Sequence, residues 1–391
     1  MSGPGAAEAR ATKTLGGLVT GQLLRLCQVS GIDEADAETY ARVLTDALAG
    51  VAERSLDLPP PARTFLSDDS TPVEFSLSFV PDGPPSLRVL LEPGSGAASL
   101  RDNGRAGLAV VRSMADRWGF ATGQLDLLED LFLPDDPEGP LALWIALELR
   151  PGGVPKVKVY LNPAARGADR AAETVREALD RLGHRGAFDT LPPGDGYPFL
   201  ALDLGDWQAP RVKVYVTHRE LRAPDAGGLS RMGPGPDAEV LEGFLRQTGG
   251  YDDGTPGPEA RFDRRPVLTC HSFTRTTGGP TGFTLHVPIR GYVPHDGVAL
   301  DRATAVLARH GIDPAVLERA LTAVTPRAPR DGRGLIAYVA LAHERGRPPR
   351  VTTYLSSEAY EVLPPASPPP FQRAPSGSTA REPVPGTPAI S

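Results

Sequence analysis

The chain has 391 residues, and 41 Lys and Arg against 48 Asp and Glu give a formal net charge of −7. The length supplies a sizeable core for one large or two ordinary domains, while the net charge makes the whole protein a poor partner for nucleic acid or an anionic membrane. Only Cys27 and Cys270 occur, so no disulfide framework is expected; with no signal-peptide pattern and no membrane-length apolar run, a cytoplasmic setting is expected.

Residues 1–12 read as a disordered lead. Asp33 is placed to cap a helix that carries Tyr40, Val43, Leu44, Ala47, Leu48 and Val51 on one face. A hairpin follows, Phe75–Val80 and Ser86–Pro93 around the turn PDGPP. Leu108, Val111, Ala115 and Trp118 stand at helical spacing, with Gly119 as a stop. A second hairpin joins Leu141–Arg150 to Lys156–Pro163 through PGGVP, and Val175, Leu179 and Leu182 mark a helix stopped by Gly183. Tyr197–Gly205 and Arg211–His218 make the third hairpin. Loops near 223–237 and 249–264 are rich in Gly, Pro and Asp, with room for a short helix between them. The fourth hairpin is Pro266–Thr274 with Thr281–Tyr292, followed by helices over Asp301–Gly311 and from Asp313-Pro314. Gly334–Ala342 and Arg350–Tyr360 are the fifth. The stretch 364–391 is Pro/Ser-rich and reads as a disordered tail, leaving 13–363 as a single domain.

Within this order lies a repeat. KVKVYLNP at Lys156–Pro163 returns as RVKVYVTH at Arg211–His218 and, more loosely, as RVTTYLSS at Arg350–Ser357. Residues two apart on a strand share a face. Lys156, Lys158 and Tyr160, and likewise Arg211, Lys213 and Tyr215, therefore make one basic and aromatic face, suited to holding an anion. The opposite face is apolar. The same alternation sets Phe75, Leu77 and Phe79 against Glu74, Ser76 and Ser78, and Phe283, Leu285 and Val287 against Thr284, His286 and Pro288. If helices cover the apolar face of all ten strands, the polar face can curl into a closed antiparallel barrel. The expected fold class is thus α+β, a ten-stranded barrel with a solvated lumen ringed by helices. That lumen would hold Glu74, Arg88, Lys158, Arg211, Lys213 and several tyrosines.

The hairpin count, TPVEFSLSF (Thr71–Phe79), the two VKVY copies and TYLSSEAY (Thr353–Tyr360) together resemble the dimethylallyltryptophan synthase family of aromatic prenyltransferases. Within it, the nearest likeness is to the bacterial enzymes that act at C6 of tryptophan, over roughly Leu15 to Leu363. The resemblance implies an ABBA barrel of αββα repeats, in which a dimethylallyl group passes from dimethylallyl diphosphate to an indole without a metal. By the same resemblance, Glu74 would accept the indole N–H, and Arg88, Lys158, Arg211 and Lys213 would hold the diphosphate. Lys156 joins that set as a candidate. Tyr160, Tyr215 and Tyr354 would surround the allyl group, with Tyr338 a further candidate. Trp144 suits either the substrate cavity or its structural wall.

Two positions depart from the family pattern. Where fungal C4 enzymes carry a lysine base, the inward positions read Ala146 and Glu148; a Gln/Tyr pair on the eighth strand reads Thr284 and His286. Glu148 and His286 are therefore the candidates for the base that deprotonates the ring, with diphosphate or water as alternatives. The Asp68-Asp69, Asp135-Asp136 and Asp252-Asp253 pairs are isolated and do not make a DDxxD-type metal site, and His271, His286 and His295 lack metal-ligand spacing. No cofactor is expected, and the expected partners are dimethylallyl diphosphate and L-tryptophan or a related indole. Rival readings are an acceptor such as tyrosine or a cyclic dipeptide, and a non-catalytic barrel for a phosphorylated or hydrophobic ligand. A polyphosphate hydrolase would need metal-binding carboxylates that the sequence does not cluster.

Overall fold

The computed structural model describes residues 13–205, 211–251, 260–274 and 278–366. The lead 1–12, the tail from 367 onward and the Asp252-Asp253 pair lie outside the described residues. The expected hairpins form: β1 (Val73–Phe79) with β2 (Ser86–Leu91), β3 (Leu143–Glu148) with β4 (Lys156–Leu161), and β5 (Leu200–Leu204) with β6 (Val212–His218). They are followed by β7 (Val267–Phe273) with β8 (Gly282–Val287), and β9 (Ile336–Glu344) with β10 (Arg350–Ser356). Each strand pairs antiparallel with its neighbours in the chain, and β1 closes on β10 with Glu74 opposite Ser356. Closure leaves these ten strands without an edge. A two-residue ribbon, Leu221–Arg222 with Arg261–Phe262, lies outside the barrel.

The alternation resolves as expected. Phe75, Leu77, Phe79, Phe283, Leu285 and Val287 are buried in the shell between strands and helices. That shell is the hydrophobic core; it rings the lumen and leaves the lumen polar. Asp33 caps α2 (Glu34–Leu48) by accepting from Asp36 N. Gly119 and Gly183, with φ of 69° and 83°, follow α3 (Leu100–Trp118) and α4 (Ala171–Arg181), where the left-handed region suits glycine. The short helix between the glycine-rich loops is α5 (Ala238–Gly249).

Two elements differ from the sequence reading. Helix α1 (Leu15–Val29), capped by Thr14, was not expected. Its Gly16-Gly17 start weakens the periodic signal, yet Gly16 is what lets the helix approach Ala52: an added Cβ would lie 3.0 Å from the Ala52 carbonyl oxygen. Helix α6 (Asp296–Arg309) starts five residues before the expected Asp301 because His295 caps it, accepting from Val298 N despite the breaker Gly297. Helix α7 (Ala315–Val324) follows Asp313-Pro314 as expected and packs on α1. Among the described residues no helix is long and apolar enough to cross a membrane.

Candidate active site

Because odd-numbered strands lead into each hairpin turn and even-numbered strands leave it, all five turns lie at one end of the barrel. Register then sorts the inward side chains by depth. Toward the turns, Arg88 lies opposite Glu148, Glu148 opposite Lys156, and Lys158 opposite Asp203. Toward the other end come Tyr160 opposite Trp144 and Tyr354 opposite Tyr338, with Glu74 near the start of β1. The inward residues enclose a cavity of about 900 Å³, counting space continuous with solvent.

The turn-side layer is an ion-pair network. Arg211 reaches Asp203 at 2.7 Å and Glu344 at 3.0 Å, and Lys158 Nζ lies 3.3 Å from Asp203. Arg88 binds Glu148 through Nε and Nη2 at 3.0 and 2.9 Å, with Lys156 Nζ 3.5 Å from the same carboxylate. Asp203 is 7% exposed; burial opposes its charge, but Lys158, Lys213 and Arg211 outweigh it and hold the carboxyl well below its ordinary range. Glu148 is also held low: burial raises its pKa, and Arg88 and Lys158 more than reverse that. Lys213 moves the other way. Burial, then the charges of Lys158 and Arg211, push it well below an ordinary lysine. Arg350 is likewise lowered by burial and by Arg88. The layer carries more positive charge than its own carboxylates neutralise, which is the electrostatic signature of an anion site.

Below the cations runs an aromatic belt. Tyr160 and Tyr215 stand 5.8 Å apart between ring centroids, Tyr215 and His286 5.7 Å, His286 and Tyr354 5.8 Å, and Tyr354 and Tyr338 6.1 Å. Phe199 continues it, 5.7 Å from Tyr215, 6.0 Å from Tyr160 and 5.3 Å from Trp144. His286 is pushed down to about 3, first by burial and then by Lys213, so it is a neutral imidazole at physiological pH. At the end away from the turns, Glu74 is 5% exposed and raised to about 8 by burial; Arg290 partly offsets this and Asp68 adds to it.

Of the sequence candidates, Glu74, Arg88, Glu148, Lys156, Lys158, Tyr160, Arg211, Lys213, Tyr215, His286 and Tyr354 line this one cavity. Tyr338 and Trp144 point inward by register but do not line this cavity. Tyr338 packs edge-on against Tyr354, and Trp144 packs with Leu66 and Leu141. Sequence reading missed Asp203, Arg350, Glu344 and Phe199. Two of these had a signal. Arg350 begins the third copy of the repeat, where the other copies carry a cation, and Asp203 is the one acidic residue in the apolar run Leu200–Leu204.

A closed ten-stranded αββα barrel with a cation layer above an aromatic belt defines the ABBA class of prenyltransferases. The sequence matches the tryptophan dimethylallyltransferase family over residues 37–319. The structure is similar to that of the prenyltransferase PriB in complex with product diphosphate, at 64% identity and a TM-score of 0.87 over 91% of this chain and 99% of that one. It is also similar to 5-dimethylallyltryptophan synthase from Streptomyces coelicolor, at 61% identity and a TM-score of 0.86 over 90% and 99% of the two chains. A third likeness is to 6-dimethylallyltryptophan synthase from Micromonospora olivasterospora in complex with DMASPP and Trp, at 40% identity and a TM-score of 0.83 over 90% and 99%. The chain belongs to the tryptophan dimethylallyltransferase family and is an aromatic prenyltransferase.

Proposed function

We propose that the protein transfers the dimethylallyl group of dimethylallyl diphosphate to C6 of the indole ring of L-tryptophan, and that it needs no metal ion. The observation that carries this reading is the stacking, in one lumen, of a cation layer, an aromatic belt and a buried carboxyl group. In support, PriB was crystallised with L-tryptophan and dimethylallyl thiolodiphosphate, a thiolo analogue of the donor.

The chemistry follows the layers. Heterolysis of the allylic C–O bond sends its electron pair to the diphosphate. Arg88, Lys158, Arg211, Lys213 and Arg350 would stabilise that anion by preorganised, charge-assisted hydrogen bonds. The allyl cation left behind faces Tyr160, Tyr215 and Tyr354. Aromatic faces stabilise a desolvated cation by about 2 kcal/mol each, and they keep water from capturing it. The indole attacks from the side of Glu74, which accepts its N–H. The arenium ion then loses a proton from the carbon attacked. Glu148 suits that step poorly, since it serves as counter-ion to Arg88 and Lys156 in the charged layer. His286 stands in the belt between Tyr215 and Tyr354, and even a depressed imidazole is basic enough for so strong an acid as an arenium ion.

The ring position rests on the likeness of the strand motifs to bacterial C6 enzymes. The test is incubation with L-tryptophan and dimethylallyl diphosphate in excess EDTA, with NMR of the product. A C6 adduct is expected, at a rate within about twofold of that without chelator. A C5 adduct would correct the position, and a loss of activity that magnesium restores would overturn metal independence. We also propose that 13–363 is the working unit. Removing the residues beyond Leu363 is expected to leave kcat unchanged. It severs the backbone bond from Ala366 N to Pro294 O, at a cost of about 1 kcal/mol in stability. Substantial loss of turnover in the truncated protein would show that the tail takes part.

A further inference from the structure

Glu92 directly follows β2 and is 5% exposed. It stands apart from the ion pairs of the turn-side layer, and neutral donors surround its carboxyl group. Thr64 Oγ1 donates to Oε2, and Asn103 Nδ2 donates to Oε1 at 2.7 Å. Burial raises the Glu92 carboxyl, and Thr64, Asn103 and the indole N–H of Trp144 partly offset that rise. Trp144 Nε1 is buried, lies beside this carboxyl without ideal alignment, and meets no better acceptor among the described residues. The surroundings are built to hold this arrangement. Gly94 approaches the start of α3 so closely that an added Cβ would lie 2.4 Å from the Asn103 carbonyl oxygen, which seats Asn103 against the carboxyl group. Leu66 N donates to Thr64 Oγ1 at 3.1 Å, and Leu66 packs on Trp144. One carboxyl group thus ties together the chain ahead of β1, the end of β2, the start of α3 and the inward face of β3.

What Glu92 holds bears on the lumen. Trp144 packs against Leu90, Tyr160 and Phe199. Leu90 and Tyr160 line the cavity, and Leu90 lies directly opposite Glu74 across β1 and β2. Fixing Trp144 therefore fixes the wall beside the proposed indole anchor. One hydrogen bond holds only one point of a ring. An indole held by its N–H alone would swing about Glu74, and C5, C6 and C7 would each come to face the allyl cation; a rigid wall leaves one of them in line. We propose that Glu92 is a positioning residue that holds Trp144 in one orientation and thereby selects the ring carbon that is prenylated. The inference rests on the proposed function, since it takes an indole on Glu74 as the acceptor. The physical case is the cost of the alternatives. Thr64 and Asn103 occupy one carboxyl oxygen each and fix the plane of the group. A Trp144 rotamer that turns away from it buries an indole N–H, a donor only, without an acceptor.

The experiment measures, by NMR, the positional isomers formed from L-tryptophan and dimethylallyl diphosphate by the wild-type protein, Glu92→Leu, Glu92→Gln and Trp144→Phe. Glu92→Leu is expected to lower the ratio of the main isomer to its neighbours about fivefold or more, with KM for dimethylallyl diphosphate within about twofold of wild type. Glu92→Gln keeps the shape and an acceptor oxygen, and is expected to hold the wild-type ratio. Trp144→Phe removes the N–H that faces Glu92 and is expected to spread the products as Glu92→Leu does. Combining the two should add little, since both break one contact. Slower turnover in Glu92→Leu with an unchanged ratio would show that Glu92 only supports the fold, and overturns the proposal. Fully additive effects in the double variant do the same. Should Glu92→Leu fail to fold, Trp144→Phe carries the test, and an unchanged ratio there is equally decisive against the role. Because the readout is a change in ratio, it applies whichever carbon the wild-type protein favours. Absence of any adduct from L-tryptophan with the wild-type protein would instead refute the proposed function.

Discussion

Above about pH 8, where the Glu74 carboxyl is ionised, Glu74→Gln is expected to lower kcat for L-tryptophan by about 10²-fold, in line with the 1.5–3 kcal/mol of a hydrogen bond to a charged group, while diphosphate affinity stays within about twofold. The asymmetry comes from where the charge develops. Once the ring has attacked, positive charge spreads to the indole nitrogen, so its N–H donates more strongly to a carboxylate in the transition state than in the ground state. An interaction of that kind lowers kcat rather than raising KM when it is removed. Glutamine keeps the shape and an acceptor oxygen but not the charge. A matched loss of turnover and diphosphate affinity would show that Glu74 holds the barrel together and does not anchor the indole.

The pH profile gives a second readout on the same residue. Burial raises the Glu74 carboxyl to about 8, so in the free enzyme it is protonated below that value and becomes the better acceptor above it. Because kcat/KM reports groups of the free enzyme, kcat/KM for L-tryptophan should climb with pH through about 8 and then level. The Glu74→Gln variant should lack that limb. A wild-type profile that is flat from pH 6 to 9 would contradict the assignment.

The barrel could be read from the chain because its signal is local and periodic. Each hairpin announces itself by a turn such as Pro151–Pro155, and inward and outward faces follow from parity along the strands, except in β9, where the register shifts between Ile336 and Tyr338. Hence Lys158, Tyr160, Lys213 and Tyr215 could be placed in one lumen from sequence. What parity cannot supply is pairing between distant strands. Glu344, which ends β9, meets Arg211 only because the barrel curves, and nothing near either residue in the chain points to the other. The same holds for Arg290 and Asp68, brought together from beyond β8 and ahead of β1. Helix α1 was hidden for a different reason: the small residue that packing against Ala52 demands is one that propensity counts against a helix.

Arg211 is the cation whose loss should cost most at the diphosphate. It is the bridge between Asp203 and Glu344, so Arg211→Ala removes one positive charge and leaves two carboxylates less compensated in the layer meant to receive an anion. Both changes act in the same direction. The expected fall in kcat/KM for dimethylallyl diphosphate is about 10²–10³-fold, comparable to removing one preorganised donor from a developing oxyanion. Inhibition by inorganic diphosphate should weaken in parallel, with L-tryptophan affinity little changed. The neighbouring carboxylate makes the argument sharper. If Asp203 repels the substrate once Arg211 is gone, adding Asp203→Asn to Arg211→Ala should recover part of the loss, a coupling of roughly 0.5–3 kcal/mol for residues in direct contact. In the wild-type background the same Asp203→Asn change should instead loosen Lys158 and Arg211, tighten product diphosphate and slow its release. Unchanged diphosphate inhibition in Arg211→Ala would place this cation outside the site. Strictly additive effects of the two substitutions would mean that Asp203 acts on the fold and not on the charge of the lumen.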